Sequence, residues 1–221
     1  MLEKIIKTTN KSEKELTFEI GSNSDLVLEN IITGNLVWTI ENFVKRAKKG
    51  CLTFPTKFDM VDSILNLDHQ GKIIVRMSVN PQELISKIEI GTSPLKNRVE
   101  AINKLKHAGY KVGILIAPVI LVENWKEKYE ELVKYLAYNL SEEVKKDVFF
   151  EIIFMTYSYV HNAINTEAFP NAINLYNKEL MMARGRGRYM YKKEIREDGT
   201  KFFEKIIKQY FPENEIKYIV W

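Results

Sequence analysis

One cysteine, Cys51, in 221 residues leaves no intramolecular disulfide and no multi-cysteine zinc or iron–sulfur site built within this chain. The three histidines, His69, His107 and His161, are far apart and form no His-x-x-x-His pair. Each reads as a solvated or packed residue, not a zinc ligand. No apolar run approaches the roughly 20 residues that span a bilayer, so no membrane partner is expected. The opening MLEKIIKTTNKSEKE (1–15) looks like a short polar helix without the apolar centre of a signal peptide. A cytoplasmic protein is the simplest reading. Charge of one sign is also lacking: 33 basic against 29 acidic residues leaves +4, which is compatible with a polyanion partner but does not demand one. Neither G-x-G-x-x-G, nor a P-loop, nor G-x-S-x-G occurs, and no 20–50-residue repeat or linker divides the chain.

What remains is an ordinary globular composition, 45% hydrophobic and 28% charged, long enough to bury one sizeable core as a single domain over 1–221. Strand-like and helix-like segments alternate. LTFEI (16–20), CLTFPTKF (51–58), KIIVRMSV (72–79), KVGILIAPVIL (111–121), VFFEIIFM (148–155) and EIKYIVW (215–221) read as strands. The fourth is almost continuously apolar, as in a central parallel strand covered on both faces. Between them lie the helical stripes Leu36–Val37–Ile40–Phe43–Val44–Ala47, Val99–Ile102–Leu105, Trp125–Tyr129–Leu132–Val133–Leu136–Leu140 and Phe202–Phe203–Ile206–Ile207–Tyr210. MVDSILNL (60–67) reads as a short helix, and Thr92-Ser93-Pro94 as a helix start. Residues 157–187 follow no regular pattern. The alternation predicts an α/β fold of parallel strands with crossover helices, either a doubly wound open sheet or part of a (β/α) barrel.

Both arrangements place chemistry at the C-terminal ends of strands. There the sequence offers Ser22 to Asp25, Thr56-Lys57, Ser78-Val79-Asn80, Ala117-Pro118 and Thr156-Tyr157. Lys57 ends an apolar strand, where its ammonium meets either solvent or an anion such as a carboxylate or phosphate. Ser78 and Asn80 serve a ligand rim or a turn into a helix after Pro81. R-G-R-G-R (184–188), with Tyr189 and Tyr191 behind it, is the densest basic run. It is either a loop between helices or a surface of bidentate phosphate contacts and stacking faces for unpaired bases. Cys51 opens a strand and reads as a small core residue.

Taken together, FEIGSNSD (18–25), FPTKFDMVD (54–62), LDHQGKIIVRMSVNP (67–81), IEIGTSPLKNR (88–98), AGYKVGILIAPVIL (108–121) and RGRGRYMY (184–191) resemble, in order and spacing, the spore photoproduct lyase family. These are radical S-adenosylmethionine enzymes with a partial (β/α) barrel, and the resemblance runs from about Lys14 to Trp221. It implies radical repair of thymine dimers in DNA, with S-adenosylmethionine and a [4Fe–4S] cluster as cofactors. By motif match, Ser24, Lys57, Ser78 and the backbone at Ala117 surround S-adenosylmethionine. Arg184, Arg186, Arg188, Tyr189 and Tyr191 match a basic, aromatic segment on the lesion-binding side.

Two departures qualify that expectation. The family's Cys-x-x-x-Cys-x-x-Cys cluster loop has no counterpart in a chain with one cysteine. The sequence therefore looks like the C-terminal two-thirds of the enzyme, with the first strand or strands missing and an upstream cluster-binding polypeptide as a partner. Second, Ser22 occupies the position of the family's hydrogen-donor cysteine, and a serine O–H bond is too strong to donate readily to a carbon radical. A paralogous branch with another substrate is one consequence. The alternatives are a cluster-less nucleic-acid-binding module and an inactive barrel fragment.

Overall fold

A computed structural model describes all 221 residues. In chain order the elements are α1 (Leu2–Lys11), β1 (Thr17–Glu19), α2 (Leu26–Thr33), α3 (Asn35–Arg46), β2 (Cys51–Thr56), β3 (Ile73–Val79), α4 (Gln82–Ile88), α5 (Leu95–His107) and β4 (Lys111–Val119). They continue with α6 (Trp125–Asn139), α7 (Glu142–Lys145), β5 (Phe149–Phe154), β6 (Thr156–Ser158), α8 (Tyr159–Ala168), β7 (Met181–Gly185), β8 (Arg188–Tyr191), α9 (Lys193–Tyr210) and β9 (Ile216–Val220). Six strands are hydrogen-bonded in the order β1-β2-β3-β4-β5-β9, and three form a second sheet, β6-β8-β7. The six expected strands are the six of the larger sheet. No helix is long and apolar enough to cross a membrane.

Two compact units interleave along the chain: Met1–Ser78, Lys96–Leu115 and Leu140–Val148 make the first, and Val79–Leu95, Ile116–Asn139 and Phe149–Trp221 the second. In the first, β1, β2 and β3 pair in parallel, Phe18 opposite Leu52 and Phe54 opposite Val75. Alternate residues of a strand share one face, and Leu52 and Phe54 of β2 and Ile73, Val75 and Met77 of β3 are buried accordingly. Leu36, Ile40 and Phe43 of α3 and Val99, Ile102 and Leu105 of α5 are buried with them. The Tyr110 hydroxyl donates to the Ile64 carbonyl at 2.6 Å, and its ring lies tilted by 30° against His69 with centroids 3.9 Å apart.

One local expectation needs correction here, and one helix is additional. Residues 60–67 form successive turns, not a helix. Ile64 and Leu67 donate to carbonyls three residues back, so the bonds never settle into the four-residue spacing of an α-helix. Val61 and Ile64 nonetheless anchor the segment in the core. The stretch after Asp25 holds the additional helix α2, capped by the Asp25 carboxylate and closed by Gly34 in the left-handed region.

In the second unit, β5 and β9 pair in parallel, and α9 lays Phe203, Ile206 and Ile207 into a core shared with Tyr129, Leu132 and Val133 of α6. Phe154 lies at its centre, stacked on Trp221 at 3.7 Å and edge-on to Phe203 at 5.7 Å. Residues 157–187, without a pattern in the sequence, contain α8 and the start of an antiparallel hairpin, β7–β8.

Candidate functional site

The first unit's rim begins where β1 ends. Gly21 takes a φ of +75°, and a Cβ there would lie 2.6 Å from Leu26 Cγ, so only glycine fits. The Ser24 N–H donates back to the Gly21 carbonyl at 3.3 Å, closing a turn that leaves Ser22, Asn23 and Ser24 exposed. Asp25 then does two jobs. Its Oδ1 accepts from the Val27 and Leu28 amides, capping α2, and from the Thr56 hydroxyl at 2.8 Å. Its Oδ2 accepts the Lys57 N–H at 2.8 Å. One carboxylate thus ties the β1 loop to the end of β2 and places Lys57 beside the Ser22–Ser24 turn, with the lysine half-buried.

The two serines differ. Ser24's hydroxyl makes no hydrogen bond within the protein. Ser22's donates to Glu19 Oε1 at 3.3 Å, while Glu19 Oε2 pairs with Arg76 at 2.6 Å. Arg76 is largely buried in the middle of β3. Ser78, two residues on, is buried, and its carbonyl accepts from the wholly buried Arg98 at 2.9 Å. Ser22, Ser24, Lys57 and Ser78 therefore all belong to the first unit.

The second unit carries the others. Ala117 and Pro118, joined by a cis peptide bond, are half-buried near the end of β4. Beside them lies a buried polar network. Asn80 Nδ2 donates to Glu89 Oε1 at 2.8 Å and to the Pro118 carbonyl at 3.1 Å. Asn80 Oδ1 accepts from the Tyr129 hydroxyl at 3.0 Å, which in turn accepts the Ile120 N–H at 2.9 Å. Complete burial pushes the Tyr129 hydroxyl's pKa well above the tyrosine range. The network fixes the Pro118–Ile120 backbone through side chains of two other elements.

Arg184, Arg186 and Arg188 stand exposed on the β7–β8 hairpin, not on an irregular loop. Its turn needs positive φ at Gly185, Arg186 and Gly187, which explains the glycines on either side of Arg186. Tyr189 joins Tyr157, Tyr159 and Tyr176 in a quartet whose six ring pairs lie 4.9 to 6.2 Å apart. A hydrogen bond with Tyr159 raises the Tyr189 pKa, and burial raises that of Tyr157. Tyr191 does not belong with the candidate contact residues. It is buried, accepts the Leu121 N–H at 3.0 Å, and has its pKa pushed up to about 12 by burial. It is the first residue to return to the core as β8 ends, so its ring offers no stacking face.

Sequence reasoning named Asp25, Asn80, Tyr157 and Tyr189 but not the clamp, network and quartet they build, and it did not name Tyr159 or Tyr176. Asp25 carried a legible signal, an N-cap residue before the apolar LVL. The Asn80 network and the tyrosine quartet had none, because their members come together from separate parts of the chain. No group of three or more His, Cys, Asp or Glu side chains is placed to hold a metal ion.

Residues 2–220 match the family described as spore photoproduct lyase. The chain is 32% identical to the spore photoproduct lyase of Bacillus subtilis (strain 168) over 226 residues, 98% of this chain and 66% of that protein. It is also 32% identical to that of Clostridium acetobutylicum, again over 66% of the relative. The chain thus spans just under two thirds of the length of these relatives. A solved spore photoproduct lyase complexed with dinucleoside spore photoproduct superposes with a TM-score of 0.90 at 29% identity, covering 99% of this chain and 65% of that one. A variant with bound AdoMet and the same dinucleoside gives 0.90 at 28%. The α/β fold of this chain, with its six-stranded sheet, is theirs, a partial (β/α) barrel and not the doubly wound alternative. By its match over nearly every residue, the chain belongs to the spore photoproduct lyase family.

Proposed function

We propose that this chain is the S-adenosylmethionine- and substrate-binding part of a radical enzyme that repairs thymine dimers in DNA or performs a related reaction, and that it acts as a single domain in the cytoplasm. The observation that supports this most is the Asp25 clamp. It fixes the Lys57 backbone at the end of β2, next to a turn whose Ser24 hydroxyl has no partner in the protein. That donor set suits an amino-acid carboxylate and its neighbouring polar groups. In this reading Ser24, Lys57, Ser78 and the Ala117 backbone hold S-adenosylmethionine, which when bound supplies hydrogen-atom abstraction from the substrate. Lys57 neutralises the carboxylate, Ser24 donates to a polar group of the ligand, and the Asn80 network keeps the Pro118–Ile120 backbone in place. Arg184, Arg186 and Arg188 hold the phosphates of DNA, and Tyr189 lies behind them.

A [4Fe–4S] cluster does not fit the residues of this chain, since Cys51 is the one cysteine. Its ligands belong to another segment or to an upstream partner polypeptide. Ser22, with its hydroxyl turned to Glu19, serves the turn and not hydrogen donation.

Isothermal titration of the chain with S-adenosylmethionine tests the reading. Saturable binding that Lys57→Ala weakens about tenfold is expected, the loss of one charge-assisted contact. Absence of any binding would refute it. The exposed arginines of the hairpin favour a second reading, a cluster-less nucleic-acid-binding module. It predicts salt-sensitive DNA affinity with no S-adenosylmethionine binding.

A further inference from the structure

The second unit holds a cavity of about 370 Å³ between the strand ends and α8 that the proposed cofactor contacts do not use. Met155, Pro118 and Phe169 give it apolar walls, and Asn162, Asn165 and Asn174 line it with carboxamides. Its volume falls in the range of small-molecule pockets. Asn162 and Asn165 are three residues apart on α8, hence on one face of it, and neither side chain has a hydrogen-bond partner within the protein. Asn174 accepts the Tyr176 N–H through Oδ1, leaving its NH₂ unused. Asparagine is a mediocre helix former, and α8 buries none of its residues, so neither propensity nor packing explains these amides.

Carboxamides present a donor and an acceptor side by side, the pattern that reads the hydrogen-bonding edge of a nucleobase. Apolar and aromatic walls supply the faces against which a flat ring is held. The cavity also adjoins the cationic hairpin: Tyr159, the first residue of α8, donates its N–H to the Gly187 carbonyl at 3.1 Å, in the turn that carries Arg186. Tyr157, a wall of the cavity, pairs with Tyr189 of β8.

We propose that this cavity receives one unpaired nucleobase of a DNA strand whose phosphates lie on Arg184, Arg186 and Arg188, with Asn162 and Asn165 reading the base edge. The inference rests on DNA being the substrate. Taking a base out of the stack is how enzymes reach nucleobase atoms, and a pocket for it must satisfy the edge groups that pairing had satisfied.

Fluorescence anisotropy with the purified chain tests it, using fluorescein-labelled oligothymidylate and an abasic phosphodeoxyribose oligomer of equal length. The base-bearing strand should bind about tenfold more tightly, the discrimination of one good bidentate contact. Asn162→Leu with Asn165→Leu should abolish that difference and leave abasic binding unchanged. Leucine favours helix more than asparagine, so α8 is retained, which circular dichroism checks. A difference that survives the double substitution, or no difference in the parent chain, overturns the pocket alone. Failure of both oligomers to bind overturns the DNA reading as well. Because adenine offers the same edge chemistry, saturating S-adenosylhomocysteine is added. If it removes the base-dependent increment only when both asparagines are present, the cavity is an adenine site and the proposal falls.

Discussion

Asn80 has four hydrogen-bonding capacities, and three are spent on partners from separate elements: Glu89, Pro118 and Tyr129. Replacing it by leucine removes one donor group and one acceptor, leaving a buried carboxylate oxygen, a carbonyl and a hydroxyl without those partners. Each orphaned group costs about 1–3 kcal/mol, so Asn80→Leu should lower unfolding stability by about 3 kcal/mol or more, read from urea denaturation. Asn80→Asp keeps the size but sets a second carboxylate against Glu89. Like charges raise each other's pKa, so the penalty is present at neutral pH and shrinks as acidification protonates one of the pair. A urea midpoint for Asn80→Asp that does not recover towards the parent value at about pH 5 would contradict this arrangement. Asp25 follows the same logic, with two oxygens accepting from Val27, Leu28, Thr56 and Lys57. Such residues organise a rim without reaching into it.

At the scale of elements, α9 and β5 meet at Gly199 and Phe154. A Cβ on Gly199 would lie 2.6 Å from Phe154 Cζ and 2.8 Å from Cε1. Glycine inside a helix costs about 1 kcal/mol relative to alanine, so helix propensity alone favours Gly199→Ala. Packing opposes it, because Phe154 is held between Trp221 and Phe203 and has no room to withdraw. Overpacking of this kind costs about 1–3 kcal/mol. The substitution should therefore lower the thermal midpoint, and an increase would show that the aromatic core yields. The β7–β8 hairpin shows the opposite case, an element set by its turn. Glycines on either side of Arg186 permit the positive φ that projects the arginines outward, while the strand returns Tyr191 to the core.

At the scale of the molecule, each unit buries a tyrosine that resists ionisation. Tyr110 in the first and Tyr191 in the second have pKa values pushed up to about 12 by burial, from an ordinary 10.0. The folded state then holds these protons more tightly than the unfolded chain. Stability is full below about pH 10 and falls as pH rises towards 12, because the unfolded chain alone gains from ionisation. The urea midpoint should drop steadily across that window. Tyr110→Phe, which cannot ionise, should flatten the decline even though it forfeits the hydrogen bond to Ile64. An unchanged slope would remove burial of Tyr110 as its cause.

The sequence by itself determined the alternation of buried strands and amphipathic helices. Continuous apolar runs such as KVGILIAPVIL suit a strand covered on both faces, and hydrophobic period is a local property. It also determined that a multi-cysteine cluster cannot be built from these residues, because composition needs no coordinates. RGRGR was legible as a basic run, but not as a hairpin, and Tyr191 was indistinguishable from Tyr189, since two tyrosines two residues apart share one face of a strand and differ only in what the fold packs over each. The tertiary structure alone decided which polar residues have partners. Ser22 is tied to Glu19 while Ser24's hydroxyl is not engaged, and Asn80 is spent within the fold while Asn162 and Asn165 are not. The physical reason is that a hydrogen bond depends on position to a few tenths of an ångström, and strands far apart in sequence set those positions.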